Sequence, residues 1–242
     1  MPMLPLSGER LLAACEQAHG ESAMLRAITL LAAVLPECGR EQVLQWPIAQ
    51  RNRLLLQLHR ISFGPSLDGY AACTQCGTGM ELHLAVADVL DDIDESRVPT
   101  GLEWLEADQP RSMRQATSAD LLAAAQAPSE AIAEERLLLR CMGMDESSAP
   151  TLPADAMQAA RVRFEQLHAA SQLHCVMHCP ECDHEAAWEL DPVHFVWREA
   201  RRAAGRLLND VHMLALNYGW SEADIVSMNP RRRETYLELL EA

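Results

Sequence analysis

The 242-residue sequence contains no lysine, because all 20 of its basic residues are arginine. Lysine Schiff-base chemistry and a P-loop lysine are therefore excluded. Aromatic residues are only 5% of the chain, whereas alanine and leucine are abundant and favour helices, since they lose little rotamer freedom there. The apolar stretch at 28–35 is too short to span a bilayer, which takes about 20 residues, and residues 1–17 lack the basic segment of a signal peptide. These absences predict a helical, cytoplasmic protein.

Positive charge is also scarce. The chain has 35 acidic residues against its 20 arginines, which gives a formal net charge of −15. A protein this acidic has no general attraction to phosphate backbones or to anionic lipid. We therefore expect no membrane partner, and nucleic acid is disfavoured as a ligand.

No catalytic motif stands out in the sequence. There is no HExxH, GxSxG, glycine-rich phosphate loop or paired-carboxylate pattern. An acidic run lacks the spacing and the glycine of a calcium loop and is interpreted as a solvated face; it contains Asp88, Asp91, Asp92, Asp94 and Glu95. The sequence thus predicts a protein that is not an enzyme.

Apolar periodicity predicts mostly helices with a few short strands. The predicted helices cover 8–35 (as one or two), 47–63, 119–127, 130–141, 154–171 and a long one from 191, with two more after Gly219. Ser118 and Ser129 are the expected N-caps of the helices 119–127 and 130–141. The predicted strands cover 80–86, 173–177 and 186–190, and 102–105 and 111–116 have the pattern of further short strands. Together with the two CxxC pairs at 73–76 and 179–182, this pattern indicates a mainly α fold with a small antiparallel β zinc-ribbon element, an α+β class.

Two CxxC pairs are the strongest chemical signal, and they consist of Cys73, Cys76, Cys179 and Cys182. Shifting the chain by 106 residues superposes the pairs, together with the alternating strand that follows each and a helical segment upstream. We interpret this as two pseudo-repeated halves, an amino-terminal half over 1–144 and a carboxy-terminal half over 154–242. The polar segment 145–153 has the composition of a linker between them.

Four thiolates in two tight turns are a typical tetrahedral zinc site, so we predict one structural Zn²⁺ held by the four cysteines. Two alternatives remain: Cys175, His178 or His184 replaces one ligand, or the two turns hold no metal. A catalytic zinc is disfavoured because four cysteines leave no position for water. The other cysteines are expected to be buried as small apolar residues, and these are Cys15, Cys38 and Cys141.

The carboxy-terminal sequence resembles the T4-like bacteriophage baseplate protein family, whose members end in a His-x-Leu-Ala-xx-Tyr-x-Trp-Ser-Glu pattern followed by an Arg-Arg-xx-Tyr helix. The matching positions are His212, Leu214, Ala215, Tyr218, Trp220, Ser221, Glu222, Ile225, Arg232, Arg233 and Tyr236. The run at 46–56, followed by Phe63-Gly64 and a CxxC, is similar to the amino-terminal half of relatives from phage-like contractile injection systems. The resemblance implies a component or assembly chaperone of a baseplate or hub in a bacterial host, with no catalytic residues.

Arginines are concentrated near the carboxy terminus, where 198–242 has seven Arg against seven Asp or Glu. One interpretation is salt bridges to acidic neighbours; the other is a docking face for baseplate, hub or other tail proteins. The predicted partner-binding residues are Arg231, Arg232, Arg233, Trp220 and Tyr218. For the aromatic pair, the alternative is a corner that only packs the helices. The competing function is a zinc-ribbon adaptor or regulator that binds another protein or nucleic acid, and the oligomeric state stays open.

Overall fold

The computed structural model describes residues 2–92, 99–106, 109–144, 152–169 and 172–241. Most of these residues are helical, and the six strands among them form three separate two-stranded antiparallel sheets. The helices are α1 (Gly8–Gln17), α2 (Ala23–Val34), α3 (Arg40–Leu44), α4 (Ile48–Ser62), α5 (Val86–Asp92), α6 (Ser118–Ala124), α7 (Glu130–Cys141), α8 (Ala154–His168), α9 (Pro192–Tyr218), α10 (Glu222–Ser227) and α11 (Pro230–Glu241). The strands are β1 (Ser66–Ala72), β2 (Gly79–Ala85), β3 (Gly101–Glu106), β4 (Gln109–Arg114), β5 (His174–His178) and β6 (Glu185–Glu189).

No helix of the described ranges has the length and apolar character needed to cross a membrane.

The largest core forms where α9 lies against the amino-terminal helices α1, α2 and α4. The buried residues of α9 recur every three or four positions, so one face of the helix enters this core; they include Val193, Val196, Ala200, Ala204 and Leu207. Helix α9 begins at Pro192, with the Asp191 side chain accepting a hydrogen bond from the Val193 amide, and it ends at Gly219. Gly219 has a φ of +69°, a left-handed conformation that glycine adopts without steric cost.

A second core joins the hairpins β1–β2 and β5–β6 to α4, α5 and the start of α9. Leu67 of β1 and Leu82 of β2 are buried there beside Phe195 of α9. Leu173 and Leu190, which flank the other hairpin, belong to the same cluster and are joined by a backbone hydrogen bond of 2.8 Å. The two hairpins therefore share one apolar layer on the side opposite to their turns.

A third core packs the hairpin β3–β4 against α7 and α8. Met113, Leu138 and Ala160 are buried in it, and so is Leu152, which belongs to the predicted linker. Residues 145–151 of that linker lie outside the described residues, and Pro153 is the N-cap of α8. This core therefore contains residues from both predicted halves.

The order helix, hairpin, helix occurs twice in the chain with similar bounds. Helices α4 and α8 have the same length, are offset by 106 residues, and each follows a proline N-cap, Pro47 and Pro153. The hairpin β1–β2 with α5 follows the first, and the hairpin β5–β6 with α9 follows the second.

The predicted α+β class, with mainly helical structure and small antiparallel sheets, is confirmed. Three local expectations need correction. The segment directly before the first CxxC is a strand, β1, which was not predicted. Its sequence lacks apolar alternation, and Leu67 is its one buried residue. Residue Val86 begins α5 and does not extend β2. The N-cap of α6 is Thr117 and not Ser118, because Thr117 and Asp120 form a reciprocal capping box.

A buried polar network lies where β4 meets α6. The carboxylate of Asp120 accepts hydrogen bonds from Arg114 at 2.6 and 3.0 Å and from Arg140 Nε at 3.1 Å. Burial alone would raise the pKa of Asp120, but the hydrogen bonds from Arg114 and Thr117 lower it well below its usual value. The carboxylate is therefore charged throughout the physiological range, and its loss would remove the shared acceptor of Arg114 and Arg140, whose side chains are partly exposed.

A neighbouring set of hydrogen bonds links α8, through His168, to the segment between β4 and α6. The Ala116 amide donates to His168 Nε2 at 2.8 Å, so the ring proton is on Nδ1, which donates to the Phe164 carbonyl at 2.8 Å. Burial lowers the pKa of His168, and the hydrogen bond to the Phe164 carbonyl raises it by a smaller amount. Protonating Nε2 would place its N–H group against the N–H group of Ala116. The folded state therefore favours the neutral ring.

We predict that stability falls as the pH drops below about 6.5, the pKa of an unperturbed histidine. Below that pH the unfolded chain takes up a proton on His168 before the folded chain does, so unfolding is favoured. In urea unfolding at pH 7.5 and 5.5, His168→Gln should lose less stability over this interval than the wild type. At pH 7.5 the substitution itself should cost about 1–3 kcal/mol, the range for a disturbed buried hydrogen bond.

The control is His19→Gln, because His19 is exposed. Its unfolding free energy should follow the wild type at both pH values. Parallel pH dependence of the wild type and His168→Gln would contradict this role.

Candidate metal centre

The four cysteines of the CxxC pairs meet at one point between two hairpin turns. Cys73 and Cys76 lie in the turn between β1 and β2, and Cys179 and Cys182 lie in the turn between β5 and β6. Their four Sγ atoms all lie within 4.8 Å of one another. Two chain segments that are more than 100 residues apart in sequence therefore supply one set of four donors.

The spacing of the sulfurs fits a single tetrahedral ion. The Sγ atoms of Cys73 and Cys182 are 3.7 Å apart, and those of Cys76 and Cys179 are 3.5 Å apart. Four sulfurs at about 2.3 Å from a central metal are about 3.8 Å from each other, whereas a disulfide requires about 2.05 Å. All four cysteines are free thiols, and the cluster could hold one metal ion.

The first turn is shaped by its own backbone. The Cys73 amide donates to the Thr78 carbonyl at 2.8 Å, and the Gly77 amide donates to the Cys73 carbonyl at 2.9 Å. Gly77 has a φ of +77°, which reverses the chain just after Cys76. The Gln75 amide also donates to Cys73 Sγ at 3.4 Å, as expected of a turn that supports a thiolate.

The second turn has the same bonds 106 positions later. The Cys179 amide donates to the His184 carbonyl and the Asp183 amide donates to the Cys179 carbonyl, both at 2.9 Å. Asp183 occupies the place of Gly77 with a φ of +53°, a conformation that aspartate tolerates better than most residues. The turns also touch each other directly, because Thr74 Oγ1 lies 3.1 Å from His184 Nε2.

The electrostatics of the cluster favour thiolates on the first turn. A hydrogen bond between Thr78 Oγ1 and Cys76 Sγ is the largest effect that lowers the pKa of Cys76 to about 6. Backbone amides of Cys76 and Gln75 lower the pKa of Cys73. At Cys182 the His184 amide acts in the same direction, but desolvation and the neighbouring sulfurs outweigh it and raise the pKa to about 12. Without a cation the four crowded sulfurs thus oppose full ionisation.

Apolar side chains enclose the buried part of the cluster. Cys73 and Cys179 are only 4% and 2% exposed, and Met80, Met177 and Trp188 pack beside them. Cys76 is exposed and Cys182 is half-buried. The cluster therefore lies at the surface, and its buried side contacts a small group of apolar residues.

The alternative ligands are not members of this cluster. Among the described residues, the four cysteines are the one group of His, Cys, Asp or Glu close enough to share an ion. Cys175 packs against the second core, His178 is exposed with Nε2 3.5 Å from Glu185, and His184 contacts Thr74. Asp88 and Asp91 of the acidic run are exposed, while Asp94 and Glu95 lie outside the described residues.

The remaining cysteines fit their expected apolar role. Cys38 is buried in the first core and Cys141 in the third, and Cys15 is half-buried against the first. Burial raises the pKa of the Cys141 thiol to about 12. A thiol held in this protonated state is a poor metal ligand and a poor nucleophile.

The predicted partner-binding aromatics form a corner between α9 and α11. Tyr218 and Trp220 are stacked with ring centroids 4.6 Å apart, and Tyr236 of α11 meets Trp220 edge-on at 4.8 Å. Tyr218 keeps 37% of its surface exposed, and Trp220 is half-buried. The motif therefore packs the corner and at the same time leaves part of its rings accessible.

The three consecutive arginines beside this corner differ in environment. Arg231 and Arg232 are exposed, whereas Arg233 Nε donates to Asp210 of α9 at 2.9 Å and has a side chain only 13% exposed. Arg233 thus joins α11 to α9. Two of the three predicted arginines remain available at the surface.

Comparison with known proteins yields no relative: the chain matches no protein-family model, no curated protein and no solved structure.

We predict that each chain binds one divalent metal ion through these sulfurs. Elemental analysis of the protein purified with metal in the medium should give about one equivalent. Cys73→Ser and Cys179→Ser should each lose most of it, since either change removes a donor from a different turn. After exchange with Co²⁺, the wild type should display the visible bands of a tetrahedral thiolate site.

Cys175→Ser is the matched control, because Cys175 precedes the second turn but lies outside the cluster. It should retain full metal content. Two equivalents in the wild type, or unchanged content in either Cys73→Ser or Cys179→Ser, would contradict a site shared by both turns.

For the aromatic corner, we predict that Trp220→Ala lowers the free energy of unfolding by about 1–2 kcal/mol. This is less than the roughly 3–5 kcal/mol of a fully buried aromatic, because Trp220 is only half-buried and mainly loses its two ring contacts. Thermal melts should show Leu216→Ala unchanged, because Leu216 is 73% exposed. Equal melting temperatures for Trp220→Ala and the wild type would show that the aromatic corner does not stabilise the fold.

Proposed function

We propose that this protein is a non-enzymatic assembly factor or minor structural component of the baseplate or hub of a phage tail or contractile injection system. The observation that carries the proposal is the carboxy-terminal corner. Residues that carry the sequence resemblance, Tyr218, Trp220 and Tyr236, make one three-ring contact between α9 and α11. The resemblance therefore rests on positions that act together in the fold, as expected of a family motif.

The metal that we propose for the four-cysteine site is Zn²⁺ with a structural role. Four thiolate donors in tetrahedral spacing suit zinc, and they fill its coordination sphere. Cys73, Cys76, Cys179 and Cys182 would hold it, and the ion would neutralise their crowded charge. Its contribution is to hold the two turns together, which is what an assembly protein needs if its partner surfaces are to keep a fixed geometry.

We also propose that the stretches 47–92 and 153–198 are the repeated cores of two related halves. In support, α4 and α8 share their length and their proline N-cap, and the two turns share their backbone hydrogen bonds at an offset of 106 residues. The proposed zinc then lies between equivalent positions of the halves.

The docking surface that we propose is the exposed pair Arg231 and Arg232, next to the aromatic corner. Arg232 lies over the Tyr236 ring, with its Cζ 5.7 Å from the ring centroid. A guanidinium beside accessible rings is typical of protein interfaces. The partner is a baseplate, hub or other tail protein, met in the cytoplasm of the bacterial host during assembly.

The test is genetic. In a bacterium that carries this gene and produces contractile particles, deleting it should remove intact particles seen by electron microscopy, and the wild-type gene should restore them. Arg231→Glu/Arg232→Glu should restore at least about tenfold fewer, because charge reversal slows association and a loss of about 1.4 kcal/mol is tenfold. The isolated double variant should keep the melting temperature of the wild type, since both side chains are exposed.

Arg60→Glu serves as the control, because Arg60 is an exposed arginine on α4. It should restore particles fully. Normal particle yield in the deletion strain would refute the assembly role, whereas full restoration by the double variant would refute only the docking surface.

A further inference from the structure

The four cysteines of the candidate metal centre differ in their access to solvent. Cys73 and Cys179 are only 4% and 2% exposed and Cys182 is half-buried, whereas Cys76 is exposed. A small reagent that arrives from solvent therefore meets Cys76 before the other three. Because the oxidation of a cysteine follows its thiolate character and its exposure, the cluster has one preferred point of attack.

The sulfur that faces Cys76 belongs to the other hairpin turn. Cys76 Sγ is 3.5 Å from Cys179 Sγ, and an S–S bond is about 2.05 Å long, so the two sulfurs need only a small approach to bond. The second contact across the turns, between Cys73 and Cys182, is 3.7 Å long and has no exposed member. An oxidised Cys76 therefore has a buried thiol partner already in place.

We propose that Cys76 is a peroxide-sensitive oxidation site, and that Cys179 resolves the oxidised form by making a disulfide between the two hairpin turns. The Cys76 thiolate attacks one oxygen of hydrogen peroxide, the O–O bond breaks, and a sulfenic acid forms while hydroxide leaves. The Cys179 thiolate then attacks the sulfur of Cys76, the S–O bond breaks, and a second hydroxide leaves. Two thiolates thus lose two electrons to one peroxide, and two protons convert the hydroxides to water.

The consequence for the metal rests on the Zn²⁺ site proposed above, whereas the disulfide depends on the positions of the sulfurs alone. After the reaction Cys73 and Cys182 are the two thiols left in the cluster, and two donors do not fill a tetrahedral site that needs four. The ion is therefore released. The two turns stay joined, because the bond between Cys76 and Cys179 replaces coordination by a covalent link, and a thiol reductant reverses it by exchange.

The sequence makes the product simple to identify. Trypsin cuts this lysine-free chain only after arginine, which leaves the first CxxC in the peptide 61–97 and the second in the peptide 164–198. A disulfide between the turns joins these two peptides, while a disulfide within either turn leaves them separate. Fragment-ion masses then assign the bond, since 164–198 also contains Cys175.

The test is limited oxidation of the purified, metal-loaded full chain with hydrogen peroxide, followed by alkylation, digestion without reductant and mass spectrometry. The first product should be the joined peptides 61–97 and 164–198, bonded through Cys76 and Cys179. Metal release, measured with a chromophoric chelator, should follow the appearance of this product in equal amount. Dithiothreitol with added Zn²⁺ should restore both the separate peptides and the bound metal.

Cys76→Ser and Cys182→Ser are a matched pair, because each removes one donor of the cluster and only the first removes the proposed point of attack. Circular dichroism and thermal melts verify that both variants fold. Cys182→Ser should still form the disulfide between Cys76 and Cys179, whereas thiol loss from the two turns should be at least roughly tenfold slower in Cys76→Ser. Cys175→Ser, which alters a residue outside the cluster, should oxidise like the wild type.

Three outcomes would overturn the proposal. The first is a disulfide within one turn as the first product of the wild type, and the second is an equal oxidation rate of Cys76→Ser and Cys182→Ser. The third is oxidation of Cys175 or Cys15 ahead of the cluster. Protein that forms the disulfide between Cys76 and Cys179 but never carries metal would refute the zinc site and support the oxidation site.

Discussion

The four sulfurs between the hairpin turns are the one set of donors in the described residues that could hold an ion, and such an ion would link two distant parts of the chain. They join residues 73 and 182, so an ion bound there closes a loop of about a hundred residues. In chain-entropy terms, a cross-link of that span is worth about 4–5 kcal/mol. The apolar group beside the sulfurs is small, with Met80 its one buried member besides Cys73 and Cys179. Hydrophobic contact at the turns themselves is thus limited, and an ion bound to the four sulfurs would add to the apolar layer that already joins the two hairpins.

The rest of the fold extends from these hairpins. Phe195 at the start of α9 packs in the layer that the two hairpins share, so their position sets the direction of α9. Helix α9 in turn fills the first core with one face and leads to the aromatic corner and α11 at its far end. The proposed partner surface on α11 is therefore linked, through α9, to the apolar layer that the two hairpins share.

Much of this could be predicted from the sequence wherever the signal is local. Asp191-Pro192, Ser129 and Gly219 mark helix ends because each acts on its own backbone, and all three were predicted at the positions that the structure has. The CxxC pairs identified all four sulfurs of the cluster because a thiolate turn needs two cysteines at that spacing. The duplication of whole halves, the zinc and the partner stay predictions.

Features that depend on distant residues were missed. Strand β1 forms because β2 pairs with it, and its own sequence buries only Leu67. The Thr117-x-x-Asp120 capping box was readable in the sequence, but not that Arg114 and Arg140 converge on the same carboxylate. Similarly, the Arg231–Arg233 run gives no sign that its last member pairs with Asp210.

The most direct test of the proposed metal's role is amide hydrogen exchange with and without a chelator. The amides of Cys73 and Cys179 donate to Thr78 and His184 in the two turns, and α2 is buried in the first core. Removing the metal should abolish protection at both turns together and leave α2 protected. Unchanged protection at both turns, or loss at one turn alone, would contradict a shared ion that holds the hairpins together.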